Sequence, residues 1–553
     1  MNVGKYIILL AALFLTIAVN AQGKLYLTDP LEPIYPDSNN LNNYTNKYHL
    51  DFPTGTEADV HLLIKSPVNA VFNISASMNG KSLPLSCWSL LMDVPVEQNT
   101  GLDSRTEAFK GLINPYVIRR APFRIYEVIV PLKENSIESK NKFTGLRLSV
   151  PANLLTKQGK YEINIVCKGK GWKQKGRFTA FVYPVKLPEL KESRFFYTNW
   201  YSLKQMENKH HLIRWTEPWF DMLEKYAKLM AHGRQNCIII PSELIALKDG
   251  KITLDEDKMY RFIEVFRKNG FTWFESPHLM YRGDNDDWSD PELKTILTKR
   301  RYYTPEAQKD IDTLVTLIKN FTQKYQLTHN WLQHIADEPT RTQAKCYADV
   351  VKQVKSVYPE IKIMEATNDR DGLIGAVDLW CPLINDFQEN ESFFRERERN
   401  GENILVYTCL IPGGNWLNRL LDQERLRQVY FGWGAAHYKL FGYLHWGLNQ
   451  YVEDPFQQSV VHHPAPGAAS NNFLPAGDSH IIYPGTDGPL SSTRFEAQRI
   501  GIEDYELLQK LKQTNPAEEI RLIDSLFTSF TDYDKSVQDY RKIRKELLQA
   551  LKN

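Results

Sequence analysis

Trp331-Leu-Gln-His-Ile-Ala-Asp-Glu-Pro339 is a short apolar run that ends in two adjacent carboxylates and a proline. Amphipathic stretches flank it, Pro305–Lys324 before and Ala344–Val357 after. A short apolar run bounded by turn signals reads as a buried strand, and a longer run with a 3.6-residue period reads as a helix. The same alternation extends in both directions. Further strands are expected at Arg194–Tyr201, Asn236–Pro241, Phe271–Pro277, Ile361–Thr367, Val377–Pro382, Asn403–Leu410 and Leu440–Asn449, with the quoted run inside Asn330–Pro339. Helical stretches lie between them at Pro218–His232, Asp257–Lys268 and Gln423–Lys439. About eight βα repeats over roughly 300 residues have the rhythm of a (β/α)8 TIM-like barrel. An open doubly wound sheet is the alternative. No GxGxxG or Walker-type glycine loop follows the early strands, which disfavours its nucleotide-binding versions.

Upstream, from Leu25 to Val185, the pattern changes to short alternating segments. Ala58–Ile64, Ala70–Ala76, Arg124–Leu132, Gly145–Val150 and Lys160–Cys167 read as strands with polar turns between them. Consecutive short strands without helices suggest an all-β sandwich. The proline-containing stretch from Tyr183 to Ser193 reads as a linker. At the start of the chain, Lys5, the apolar run Ile7–Val19 and the small residues before Gln22 form the pattern of a secretory signal peptide. The expected organisation is a signal peptide over 1–21, an N-terminal β-sandwich domain over 22–190, and the barrel with C-terminal helices over 191–553. Export to the periplasm or the extracellular space follows from the first segment. Thr493-Arg-Phe-Glu496 resembles a capping box that opens a helix through about Gln509.

The 553 residues include 68 Lys+Arg and 66 Asp+Glu, a net charge of +2. That balance argues against a nucleic-acid partner. No stretch after the leader is apolar for long enough to span a membrane. The six cysteines are far apart, with no CxxC pair, so mostly free buried thiols are expected, with no structural metal and no cofactor. With 12 Trp, 28 Tyr and 26 Phe, the chain is rich in rings that suit sugars and also fill cores.

In a barrel, reacting groups sit at the carboxyl ends of strands. Asp337 and Glu338 are there, and two carboxylates are the usual equipment for cleaving a glycosidic bond. A retaining enzyme with a protein nucleophile needs its carboxyls about 5 Å apart across the sugar, commonly on different strands. The seventh strand ends Tyr407-Thr-Cys-Leu410 and offers no carboxylate. An adjacent pair suits another arrangement, in which the substrate's own 2-acetamido oxygen attacks. Glu453, Asp454 and Asp478, in the long segment from Tyr451 to Gly488, remain alternative sources of a nucleophile.

The His-Ile-Ala-Asp-Glu-Pro run resembles the catalytic-strand signature of glycoside hydrolase family 123. So do Gly442-Tyr-Leu-His-Trp-Gly-Leu-Asn449, the block from Gly477 to Pro489, and Arg494-Phe-Glu-Ala-Gln-Arg-Ile-Gly-Ile-Glu-Asp-Tyr-Glu506. The resemblance implies an exo-acting glycoside hydrolase that releases terminal β-linked N-acetylgalactosamine from a glycan or glycolipid. It implies a retaining, substrate-assisted route through an oxazolinium ion. Asp337 would orient the acetamido group and Glu338 would be the acid/base. Tyr407 is placed to donate to the acetamido oxygen, Trp446 to floor the sugar ring, and His278 and Asn449 to bond its hydroxyls; Trp200 is a further aromatic at a strand end. A β-hexosaminidase, a glycosidase with a protein nucleophile, and a non-catalytic carbohydrate-binding protein on the same scaffold are the rival readings.

Overall fold

The computed structural model describes residues 23–38, 44–283, 287–367, 369–465 and 468–552. The leader expected over 1–21 lies outside the described residues. The chain divides into two compact units. Of the described residues, the first comprises those in 23–30, 34–92 and 131–182, and the second those in 31–33, 93–130 and 183–552. Residues 93–130, inside the range expected for the sandwich, therefore group with the barrel.

The first unit is built on two antiparallel sheets. One runs in the order Lys24–Thr28, Ala58–Lys65, Phe143–Val150, Trp88–Val96. The other runs Lys47–Thr54, Trp172–Lys186, Gly159–Gly169, Val71–Met78, Lys81–Ser82, with Ser136–Glu138 paired to Val71–Met78. Side chains alternate along a strand, so Phe72, Ile74 and Ala76 are buried while Val71, Asn73 and Ser75 are exposed. The buried set meets Val60, Leu62, Ile163, Ile165 and Phe178 in one apolar core, as the period-two pattern predicts.

The second unit contains the expected closed barrel. Its parallel strands are β1 (Phe196–Asn199), β2 (Cys237–Ile239), β3 (Trp273–Glu275), β4 (Trp331–Gln333), β5 (Lys362–Thr367), β6 (Leu379–Pro382), β7 (Asn403–Thr408) and β8 (Gly442–His445), and β8 closes on β1. Helices α1 (Glu217–His232), α2 (Glu256–Lys268), α3 (Pro305–Lys324), α4 (Ala344–Val357), α5 (Glu391–Arg399) and α6 (Leu426–Tyr438) supply crossovers. Between β5 and β6 the described residues form only a single 3-10 turn, Asp371–Leu373. Helix starts follow local chemistry. Thr304 caps α3 by accepting from the Ala307 N–H, with Pro305 preset for the first turn. Asp255 caps α2, whose first turn is acidic and last turn basic, matching the helix dipole.

After β8 comes a long loop with two short strand pairs, and then α7 (Thr493–Thr514). The expected capping box is displaced by one residue: Ser492 is the cap, accepting from Phe495 N–H, and the helix runs on to Thr514. Helices α6 and α7 cross at glycines. A Cβ on Gly432 would lie 1.8 Å from the carbonyl oxygen of Gly501, and one on Gly501 would lie 2.2 Å from that of Val429. No side chain can shift to relieve a backbone clash, so replacing Gly432 with Val should separate the helices. The expected result is a loss of at least about 2 kcal/mol, read as a lower unfolding midpoint. An unchanged midpoint would contradict this packing.

Candidate active site

The carboxyl ends of the strands open on a cavity of about 550 Å3. Asp337 and Glu338, following β4, line it together with Trp200 after β1, Tyr407 on β7 and Trp446 after β8. Ala366 and Leu444 contribute apolar wall, and Gln450, His463, Pro464 and Ala465 come from the long loop. Among the described residues lining it, no other carboxylate is present.

Neighbours on a strand point to opposite faces, so two adjacent carboxylates reach one cavity only if the chain turns. It turns at Glu338, whose φ of 44° is left-handed and costs a non-glycine residue on the order of 1 kcal/mol. Arg282 helps hold this turn. Its guanidinium donates to the backbone carbonyls of Asp337 (2.5 Å) and Glu338 (3.1 Å) and packs 3.7 Å over the Trp288 ring. Tyr407 donates its hydroxyl proton to Glu338 Oε1. Burial pushes the Tyr407 phenol well above its ordinary value, and Glu338 adds to this, so it stays a donor.

Behind the turn lies a buried ladder. His334 bridges two carboxylates, Nε2 to Glu275 Oε2 and Nδ1 to Glu365 Oε1, each 3.0 Å. Glu275 is held by the Trp200 indole N–H (2.9 Å) and the Cys237 thiol (3.1 Å). Glu365 Oε2 accepts from the backbone N–H groups of Ile335 (2.8 Å) and Ala336 (3.1 Å) and from the Tyr347 hydroxyl (3.2 Å). Burial alone would push the imidazole down, but Glu365 and Glu275 hold His334 well above the ordinary histidine value. Burial would likewise raise Glu365, yet His334 and His278 bring it below the usual carboxylate range. Asp337 has its side chain open to the cavity and is otherwise surrounded by protein. That surrounding raises its carboxyl above the ordinary value, against the opposing pull of His278, Arg282 and His334.

The other expected residues fall in different places. Trp446 and Trp200 line the cavity. His278 does not; its ring packs against Trp200 and His334, with centroids 6.2 Å and 4.8 Å away. Asn449 is corrected outright. It is fully buried, and its amide is spent on the backbone of Ser202, accepting from N–H (2.7 Å) and donating to the carbonyl (3.0 Å). It fixes the loop after β1 and does not line the cavity. Glu453 and Asp454 are exposed, Asp478 is fully buried, and none of them lines the cavity. All six cysteines are free. Glu275 and Glu365 are the residues that strand-end reasoning passes over. Their signal is a carboxylate inside otherwise apolar strands, Trp273-Phe-Glu275 and Lys362-Ile-Met-Glu-Ala-Thr367.

A barrel whose mouth presents a carboxylate pair between aromatic rings defines a class of carbohydrate-cleaving hydrolase. The family model for the glycoside hydrolase 123 catalytic domain matches residues 200–511, more than half of the chain. The chain belongs to glycoside hydrolase family 123. Among solved structures it is similar to a family 123 glycoside hydrolase from Clostridium perfringens, with a TM-score of 0.68 and 14% identity over 96% of this chain and 97% of that one. An endo-beta-1,4-mannanase from Thermotoga petrophila (TM-score 0.35, 10% identity, 58% of this chain and 78% of that one) is much less similar. So is a family 10 xylanase from Thermobacillus composti (TM-score 0.33, 12% identity, 57% of this chain and 100% of that one). No curated protein matches the chain. Among the described residues, no helix is long and apolar enough to cross a membrane.

Asp478 gives a sharp test of the site's electrostatics. Burial raises its carboxyl to about 7, opposed by Arg419, Trp446 and Arg494. A carboxyl with a raised folded pKa binds more protons folded than unfolded, so its contribution falls as pH rises from about 4 to about 7. Asp478→Asn removes that dependence. Across pH 4–8 the wild-type chain should lose roughly 2–4 kcal/mol relative to the variant, measured by unfolding. Parallel curves would contradict the assignment.

Proposed function

We propose that the protein releases terminal β-linked N-acetylgalactosamine from a glycan or glycolipid by retaining, substrate-assisted hydrolysis. The observation that carries this reading is the pair of carboxylates lining the cavity, adjacent in sequence, with the backbone in a left-handed turn at Glu338. Export to the periplasm or beyond, through the 1–21 leader, belongs to the same reading.

In the first step the 2-acetamido oxygen attacks the anomeric carbon as the glycosidic bond breaks. Glu338 passes its proton to the departing oxygen. Asp337 accepts from the amide N–H and stabilises the positive charge that develops on the oxazolinium ring. In the second step Glu338 takes a proton from water, which opens the ring with net retention. Tyr407 has one proton to donate. It lies on Glu338 in the free site, and with substrate bound it is redirected to the acetamido oxygen. Trp446 and Trp200 offer faces and edges to the apolar side of the sugar.

Aryl β-GalNAc, β-GlcNAc and β-Gal substrates test the acetamido requirement. Equal turnover of the β-galactoside would overturn it. Glu338→Gln should cost roughly 10²–10⁴-fold on substrates with poor leaving groups and much less on activated ones. Asp337→Asn should reduce turnover of all of them. Asp337 must be ionised, so kcat/KM should fall with acid along a limb above the ordinary aspartate range. Covalent labelling of the protein by a fluorinated glycoside would favour a protein nucleophile instead.

A further inference from the structure

We propose that His278, His334 and Glu365 form a binding site for a divalent transition-metal ion, of the Zn2+ class, at the base of the Asp337-Glu338 turn. One ligand atom from each of the three side chains lies within 4.8 Å of the others. His334 Nδ1 is 3.0 Å and His278 Nε2 is 3.4 Å from the same atom, Glu365 Oε1. Ligands about 2.0–2.1 Å from a tetrahedral ion stand about 3.3 Å apart, so these separations need little adjustment.

The surroundings of each ligand point the same way. Glu365 Oε2 is occupied by two backbone N–H groups and the Tyr347 hydroxyl, which leaves Oε1 to face the two imidazoles. His334 has its other nitrogen on Glu275, and a carboxylate behind a ligating histidine is the usual outer partner of a metal. Glu275 is in turn fixed by Trp200 and Cys237. His278 Nε2 is the decisive atom. It is buried, and its 3.4 Å ion-pair contact with Glu365 Oε1 falls short of hydrogen-bond geometry. The hydrogen bonds of His334 to Glu275 and Glu365 account for three buried side chains and leave His278 Nε2 without a hydrogen bond. A metal ion satisfies it.

Two imidazoles and one carboxylate suit zinc, and three protein ligands leave the fourth position to water. The His278 side chain is 18% exposed, which gives the ion a way in. A cation there would favour the charged form of Asp337.

The test uses the purified, untagged full chain, stripped with a chelator and titrated with Zn2+. Bound metal is counted by elemental mass spectrometry, and thermal unfolding is followed in parallel. The expected result is one Zn2+ per chain with a raised melting temperature. His278→Ala should weaken binding at least 10-fold and abolish that rise, whereas the exposed loop variant His462→Ala should keep both. Co2+ in place of Zn2+ should give visible ligand-field bands in the unmodified chain, a readout that needs no variant to fold. No stoichiometric Zn2+, no Co2+ bands, equal binding by His278→Ala, or equal loss in His462→Ala would each overturn the site.

Discussion

The carboxylate of Glu365 takes the backbone N–H groups of Ile335 and Ala336, and this grip sets the rest of the site. It holds the main chain at the two positions before Asp337. The carboxylate sits on the neighbouring strand β5, so the end of β4 is fixed from the adjacent strand. A buried anion is costly unless its lone pairs are filled, and here backbone, Tyr347 and His334 fill them. The left-handed turn at Glu338 is built on that anchored end, with Arg282 on its carbonyls.

The rings around the cavity depend on the same ladder. Trp200 lines the cavity and donates to Glu275, which pairs with His334, so a cavity-lining ring and the carboxylate turn share one support. Tyr407 approaches from β7 onto Glu338. Residues that line the cavity are therefore held by residues deeper in the barrel that do not line it. Residues 93–130 contribute to the second unit as well: Asp422, beyond β7, receives Asn99 and Thr100 in three buried hydrogen bonds.

Much of this was legible in the sequence. The eight strands were readable because each is a short apolar run and most are flanked by a helix of 3.6-residue period, and the carboxylate pair because it ends such a run. Asn449 was misread because position at a strand end says nothing about which way an amide turns, and its partner Ser202 is 247 residues away. The ladder went unseen for the same reason. Glu275, His334 and Glu365 are separated by intervening helices and meet only when the barrel closes. The departure of residues 93–130 from the sandwich has no local signal either, because the buried contacts that place them come from more than 300 residues downstream.

The most direct test of the account is a crystal structure of the protein with an N-acetylgalactosamine thiazoline, a stable likeness of the oxazolinium intermediate. The account predicts the Asp337 carboxylate within about 3 Å of the thiazoline nitrogen. Glu338 should stand over the anomeric carbon where the leaving oxygen was, and Trp446 should lie under the ring. A thiazoline bound with Asp337 turned away from that nitrogen, or seated outside this cavity, would contradict it.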